Sequence, residues 1–269
     1  MDFHLAQPSD LLSPFVKSYW GLENHMPAGE THQQRIIPNG LTELTFYLGD
    51  LPQSLDEKKQ FPDPSMLTGQ QKSHYDIQVQ GRVSLFSVTF QPLGLMLLFN
   101  LPAQELFDQT VPLHLLLQYE TMELEDRLSD AESFLARKSV IEKFLLKRLS
   151  QSGEKHEHRR ICHSIGIINR ARGDVEIEQL ASEACLSRKQ FERTFLTYVG
   201  ATPKLFLRTV RFQHAIHRKS LQKNLSLTEL SYRCAYYDQS HMTSDFQKLS
   251  GMSPRKFFAD CNPYSDYFQ

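Results

Sequence analysis

The sequence predicts an α+β chain of two domains, a β-rich N-terminal half and an all-α C-terminal half. Three observations predict it. Residues 1–110 carry short runs in which apolar and polar side chains alternate, separated by turn signals. From Thr121 onward the apolar residues recur at helical spacing instead. In the last third of the chain a segment is repeated 51 positions on. The 269 residues, 40% hydrophobic and 23% charged, exclude collagen, a disulfide miniprotein and wholesale disorder. The longest nearly apolar run, residues 93–99, is too short to span a bilayer, and the acidic start MDFHLAQPSD does not read as a secretory signal. Cys162, Cys185, Cys234 and Cys261 form no CxxC pair, which fits reduced thiols better than a disulfide frame or zinc site. The expected setting is cytoplasmic, with no membrane partner.

In the N-terminal half, residues 75–79 alternate with period two, as a half-buried strand requires. Residues 83–90 alternate again, with Phe86, Val88 and Phe90 on one face. Residues 41–48 are rich in strand formers and follow the turn signal Pro38-Asn39-Gly40. Residues 50–64 are polar and contain proline, as a surface loop would. Short strands at such spacing point to a small β-barrel or sandwich, with flanking helices expected at 10–19 and 93–99.

The period then changes. Leu124, Leu128, Phe134, Leu135, Ile141, Phe144, Leu145 and Leu149 fall at helical spacing and predict two helices over 122–149. Their apolar face packs either on the protein's own sheet or against a second copy as a dimer seam. Residues 151–158 are polar and contain glycine, and read as a linker. The net charge of −1 divides at the same place. Residues 1–155 hold 13 Lys and Arg against 20 Asp and Glu, whereas residues 156–269 hold 17 against 11. The halves therefore carry −7 and +6, and the basic one is suited to a polyanion.

The repeat says what that polyanion is. Gly200, Thr202, Pro203 and Phe206 recur as Gly251, Ser253, Pro254 and Phe257, and Phe195 recurs as Phe246. Leu180 recurs as Leu230 at an offset of 50. Each unit reads as a short helix, a tight turn and a longer amphipathic helix. In the first, Phe191, Phe195 and Tyr198 form a buried stripe, so Ser187, Arg188, Lys189, Gln190, Glu192 and Arg193 present an exposed face. In the second, Ser226 and Glu229 form a capping box. There Met242, Phe246 and Leu249 are buried, which leaves Gln239, Ser240, His241, Thr243 and Ser244 outward. Pro203 opens a connecting helix over 204–219. A helix, a turn and a second helix with an exposed polar N-terminal face make a helix-turn-helix, and two joined by one helix suit adjacent turns of a major groove. A plain helical bundle accounts for either unit alone; the duplication together with the basic charge favours double-stranded DNA.

These residues resemble the AraC/XylS family of bacterial transcription regulators. Ala181, Leu186, Ser187, Phe191, Arg193 and Phe195 match its first unit, Arg211 and Ala215 its connecting helix, and Ser240, Phe246, Gly251, Ser253 and Pro254 its second. Ala235 stands where the family usually has Gly, Met242 replaces its usual Phe, and Ser244 falls where an Arg is common. More weakly, residues 14–20, 35–40 and 90–94 resemble the family's small cupin-like sensory barrel. The resemblance implies a cupin-like domain over 1–120, a helical connector and linker over 121–158, and a double helix-turn-helix over 159–262. It also implies sensing of a small-molecule effector, a homodimer through 121–150, and RNA polymerase as a partner if the protein activates.

Enzyme chemistry has little footing here. His156 and His158 form the sole His-x-His, in the linker, and His214 and His217 have no acid or Cys at metal spacing. No GxSxG, HExxH, P-loop or GxGxxG occurs, so no catalytic residue, metal or cofactor is expected. Trp20, Arg35 and Glu43 are the candidate effector pocket, with Arg35 as an anion clamp. The competing assignment buries Trp20 in the core and pairs Arg35 with a surface acid. Two other readings stay open: a cupin-type enzyme fused to a DNA-binding module, and a DNA-binding protein whose barrel only dimerises.

Overall fold

In the computed structural model, which describes residues 2–56, 59–151 and 156–260, the alternating segments pair as antiparallel strands. They are β1 (Asp2–Ala6), β2 (Val16–His25), β3 (Thr31–Ile36), β4 (Thr42–Tyr47), β5 (Gln53–Ser54), β6 (Ser65–Thr68), β7 (Tyr75–Gln80), β8 (Arg82–Phe90) and β9 (Thr110–Pro112). A six-stranded sheet runs β1-β2-β8-β4-β6-β9, and a three-stranded sheet runs β3-β7-β5. Among the described residues four α-helices complete this unit, α1 (Gly94–Phe99), α2 (His114–Leu117), α3 (Tyr119–Ser129) and α4 (Phe134–Gln151), with a 3-10 helix at Ala103–Leu106.

Register decides what each sheet face does. Leu44 pairs with Val88 and Phe46 with Phe86, and all four are buried with Tyr19 against Leu124, Leu128, Ile141 and Leu145 of α3 and α4. Each such side chain contributes roughly 1.5–3 kcal/mol by leaving water. Of the two alternatives for the apolar helical face, these residues take the protein's own core. The opposite face of the same sheet is more polar, with the Thr45 and Ser87 hydroxyls 3.0 Å apart. Phe61, Met66 and Tyr75, with Ile36, Tyr47 and Ile77, fasten the small sheet onto it.

Two expectations need correction. Residues 10–15 form turns rather than a helix, and Val16 already belongs to β2. Pro14 has no N–H to give a helix and biases the residue before it toward extended backbone. Nor does a closed barrel form among the described residues; the sheets stay open layers. Strands β5 and β9, of 2 and 3 residues, are too short to carry the hydrogen-bond ladder round. The linker expected at 151–158 lies partly outside the described residues; Gln151 ends α4 and His156 opens a helix.

The second unit is helical: α5 (His156–Ala171), α6 (Ile177–Glu183), α7 (Arg188–Val199), α8 (Pro203–Leu221), α9 (Leu227–Arg233), α10 (Gln239–Ser250) and α11 (Pro254–Asp260). Local signals set each boundary. Ser187 and Gln190 form a capping box on α7, Thr202 caps α8 with Pro203 in its first turn, Ser226 and Glu229 box α9, and Asp238 caps α10. Gly200 and Gly251 end α7 and α10 in the left-handed conformation, at φ +90° and +69°. Inside, Phe195 meets Phe191 and Phe206 at 5.5 Å, and Phe212 meets Phe246 at 4.8 Å. Segments Ile37–Gly40 and Gln70–His74 also belong to this unit. They are held by Gln213 Nε2 on the Pro38 carbonyl at 2.8 Å and Gln70 Nε2 on that of Val199 at 2.7 Å.

Candidate nucleic-acid interface

The turns aim the recognition helices. Between α6 and α7 the chain reverses at Cys185, φ +53°, and between α9 and α10 at Ala235, φ +57°. Both are left-handed residues with a Cβ, a conformation that costs about 1–2 kcal/mol. At the second turn, Arg211 of α8 donates from Nη1 to the Ala235 carbonyl at 3.1 Å and lies over the Tyr236 ring. Arg208, one turn earlier, pairs with buried Asp245 of α10 at 3.1 Å. Burial lifts the Asp245 carboxyl above its ordinary value, against the pull of Arg208 and His241. Asp245 thus fastens α10 to the connecting helix. Sequence reasoning missed it, although an acid between buried Met242 and Phe246 is a signal that a cation must face it.

On α7, Lys189, Gln190 and Arg193 are exposed and Glu192 is half-buried. Ser187 and Gln190 spend their polar atoms on the capping box. Arg188 bridges Glu178 of α6 and, at 3.0 Å, Glu192 of its own helix. Those two carboxylates, Glu192 foremost, push its pKa further up. Lys189 and Arg193 make no ion pair among the described residues. On α10, Gln239, Ser240, His241 and Ser244 are exposed and Thr243 is half-buried. Gln239 accepts from the Thr228 hydroxyl at 2.9 Å, and Thr243 turns its hydroxyl onto the Gln239 backbone carbonyl at 2.8 Å. His241 stands edge-on to Tyr236, 5.3 Å away. The one cation of α10 is Lys248, in its last turn.

Buried His214 lies on the connecting helix, its Nε2 2.9 Å from Nη1 of Arg172. A guanidinium can only donate, so the ring accepts at Nε2 and is neutral. Burial, then Arg172, Arg218 and His217, push its pKa down to about 4.

Of the three effector candidates, two share a sheet face and Arg35 lies apart. Trp20 is paired with Ser87 and Glu43 with Thr89, which places both on the polar face of the large sheet. Glu43 accepts from Thr89 Oγ1 at 3.3 Å, and Trp20 stacks on Phe3. Arg35 lies in the small sheet, where its cross-strand partner Asp76 takes it in two hydrogen bonds of 2.8 and 2.7 Å. Its charge is therefore compensated. Tyr47 and Tyr75, which the sequence did not single out, lie near Glu43; burial raises both phenol pKa values, followed by Glu43 for Tyr47 and by Tyr47 and then Glu43 for Tyr75. Among the described residues no group of three His, Cys, Asp or Glu could hold a metal, and no helix is long and apolar enough to cross a membrane. Cys261 lies outside the described residues.

Residues 180–260, from the middle of α6 to the end of α11, match a family described as a helix-turn-helix domain. Among curated relatives, an uncharacterized helix-turn-helix-type transcriptional regulator of Haemophilus influenzae is 31% identical over 93 residues, 35% of this chain and 31% of that protein. The transcriptional activator RhaS of Yersinia pestis is 25% identical over 138 residues, 50% of each. The chain therefore carries a helix-turn-helix domain, and the relatives it matches are helix-turn-helix-type transcription regulators. Residues 4–112 match a family described as a domain of unknown function (DUF6597). The crystal structure of ToxT from Vibrio cholerae O395 aligns over 90% of this chain and 97% of its own, at 10% identity and a TM-score of 0.47. The chain spans a quarter to a half of the curated relatives that it matches. The relatives named here are transcription regulators rather than enzymes.

Proposed function

We propose that the chain is a sequence-specific, DNA-binding transcription regulator, without enzymatic activity, that reads two adjacent major-groove segments. The observation that carries this is the pair of recognition helices, α7 and α10, each capped at its N-terminus and each presenting an exposed polar face. Phosphate contacts from Lys, Arg and helix N-termini set register and much of the affinity. Exposed side chains in the first two turns of α7 and α10 read base edges, Arg193 foremost among them. Residues 159–262 are assigned to DNA, 121–158 to the connector, and 1–120 to a sensory domain whose polar sheet face, with Trp20 and Glu43, receives a small effector. Occupancy of that face biases the DNA-binding half between two arrangements. A homodimer draws on the exposed Tyr119, Met122 and Leu135, since the rest of that helical face is core. If the protein activates, RNA polymerase is its further partner, and a cytoplasmic location follows.

Selection of bound duplexes from a random pool tests the assignment. The expected result is a consensus of two segments about 10 base pairs apart, bound with a log–log salt slope of about −5 for roughly six neutralised phosphates. A salt-independent affinity, or a pool that never converges, sinks it.

A further inference from the structure

Each recognition helix opens on a residue tied back to the helix before it, at the same place in the repeat. In the first unit the Arg188 guanidinium bridges Glu178 on α6 and Glu192 on α7. In the second, the Thr228 hydroxyl on α9 donates to the side-chain carbonyl of Gln239 on α10 at 2.9 Å. Arg188 and Gln239 lie 51 residues apart, and Glu178 and Thr228 lie 50 apart. Those are the two offsets that relate the units as a whole, so one pair of positions holds an ion pair in one copy and a neutral hydrogen bond in the other. Charge is not what the copies share. Geometry is.

The tether changes what each first residue can offer to DNA. Two carboxylates around one guanidinium leave the Glu178–Arg188–Glu192 trio at a net charge of −1, which gives phosphate no net attraction. A glutamine reads adenine with its carbonyl and its amide N–H together, and in Gln239 the carbonyl is already engaged. Glu178 and Arg188 are 59% and 57% exposed, so their bridge adds little to stability; what it fixes is where the guanidinium points.

We propose that Glu178 and Thr228 are positioning residues. They hold the first side chain of each recognition helix against the preceding helix and withhold Arg188 and Gln239 from base edges. Contact with DNA then falls to Lys189 and Arg193 in the first unit and to Ser240 and Ser244 in the second. All four are exposed, and none makes a side-chain hydrogen bond or ion pair among the described residues. This inference rests on the DNA-binding reading above and deepens it.

The test uses the full chain, titrated across salt with a selected duplex and with a random-sequence duplex. Arg193→Gln is expected to weaken binding to the selected duplex tenfold or more; Arg188→Gln is expected to weaken it by about twofold at most. Glu178→Gln removes the charged tie to α6 and brings the trio from −1 to neutral, with Glu192 still beside Arg188, so binding to the random duplex tightens roughly three- to tenfold at low salt and the slope steepens by about one. Preference for the selected duplex narrows accordingly. Glu178→Asp, shorter but still charged, restores the parent slope, which mere loss of a helix contact would not. Thr228→Val frees the Gln239 carbonyl and sharpens the choice of adenine at its base pair. Equal losses from Arg188→Gln and Arg193→Gln overturn the proposal, as does a slope that Glu178→Gln leaves unchanged. A parent chain that binds no duplex is a different failure: it overturns the DNA-binding reading, and this inference falls with it.

Discussion

Ala235 occupies a turn where a side chain is a burden. Its φ of +57° brings the Cβ against the backbone, and Arg211 bonds its carbonyl at 3.1 Å. Glycine would remove the steric cost of about 1–2 kcal/mol while adding freedom to the unfolded chain. Ala235→Gly is therefore expected to stabilise the helical unit by about 0.5–1 kcal/mol, read as a higher denaturant midpoint with an unchanged slope. His214 works in the opposite sense. Its folded pKa of about 4 lies below the unfolded value near 6.5, so the unfolded state binds the proton more tightly. Stability is full above about pH 6.5 and falls as pH drops toward 4, by about 3 kcal/mol at the low end. Melting of His214→Gln across that range should show a shallower decline. A decline as steep as the parent's would place the proton elsewhere.

The two recognition helices are alike in fold and unlike in charge. Arg193 is exposed on α7 between buried Phe191 and Phe195, whereas the equivalent position on α10 is Ser244. Arg193→Ala is expected to cost about 1–3 kcal/mol of binding and to relax preference at one or two base pairs. Ser244→Ala should cost roughly 1 kcal/mol or less, as for one neutral hydrogen bond. Competition titrations with singly substituted duplexes measure both, and equal losses would refute the asymmetry. These helices were legible because their signals are local: caps, left-handed glycines and an i, i+4, i+7 stripe. Strands β4, β7 and β8 were legible by composition and alternation. Strand β2 was not. Tyr19 is buried on one face while Trp20 and Leu22 are half-buried on the other, so its period of two is blurred. The helix-to-helix ties escaped as well, because Glu178 and Arg188 lie on different helices and share no periodicity; aligning the two copies pairs them with Thr228 and Gln239 and would have marked them. For Arg35 the sequence offered both a clamp and a pairing with a surface acid; which acid, Asp76, is set by strand register alone.

Across the whole chain the −7 and +6 of the two halves nearly cancel. A duplex approaching at low salt meets the field of both, so a fragment of residues 156–269 is expected to bind random-sequence DNA more tightly than the full chain. The gap should close above roughly 0.2 M salt, where the screening length falls below about 8 Å. Gel-shift titrations of both proteins across salt measure it; a gap that persists at high salt would mean that the N-terminal half acts otherwise than by charge. Connectivity separates the halves too. Helix α7 packs on its neighbour α6 across a short turn, while β2 pairs with β8, matching Val16 to Phe90. Short loops close quickly and long ones slowly, so the helical half assembles locally while the sheet half waits on its last long strand. On a ribosome adding about 5–20 residues per second, Val16 waits roughly 4–15 seconds before Phe90 exists to meet it. In that interval the nascent β2 presents Val16, Tyr19 and Trp20 to water and to every other chain in reach. Of the two halves, the sheet half is thus the one whose apolar side chains wait longest for their partners.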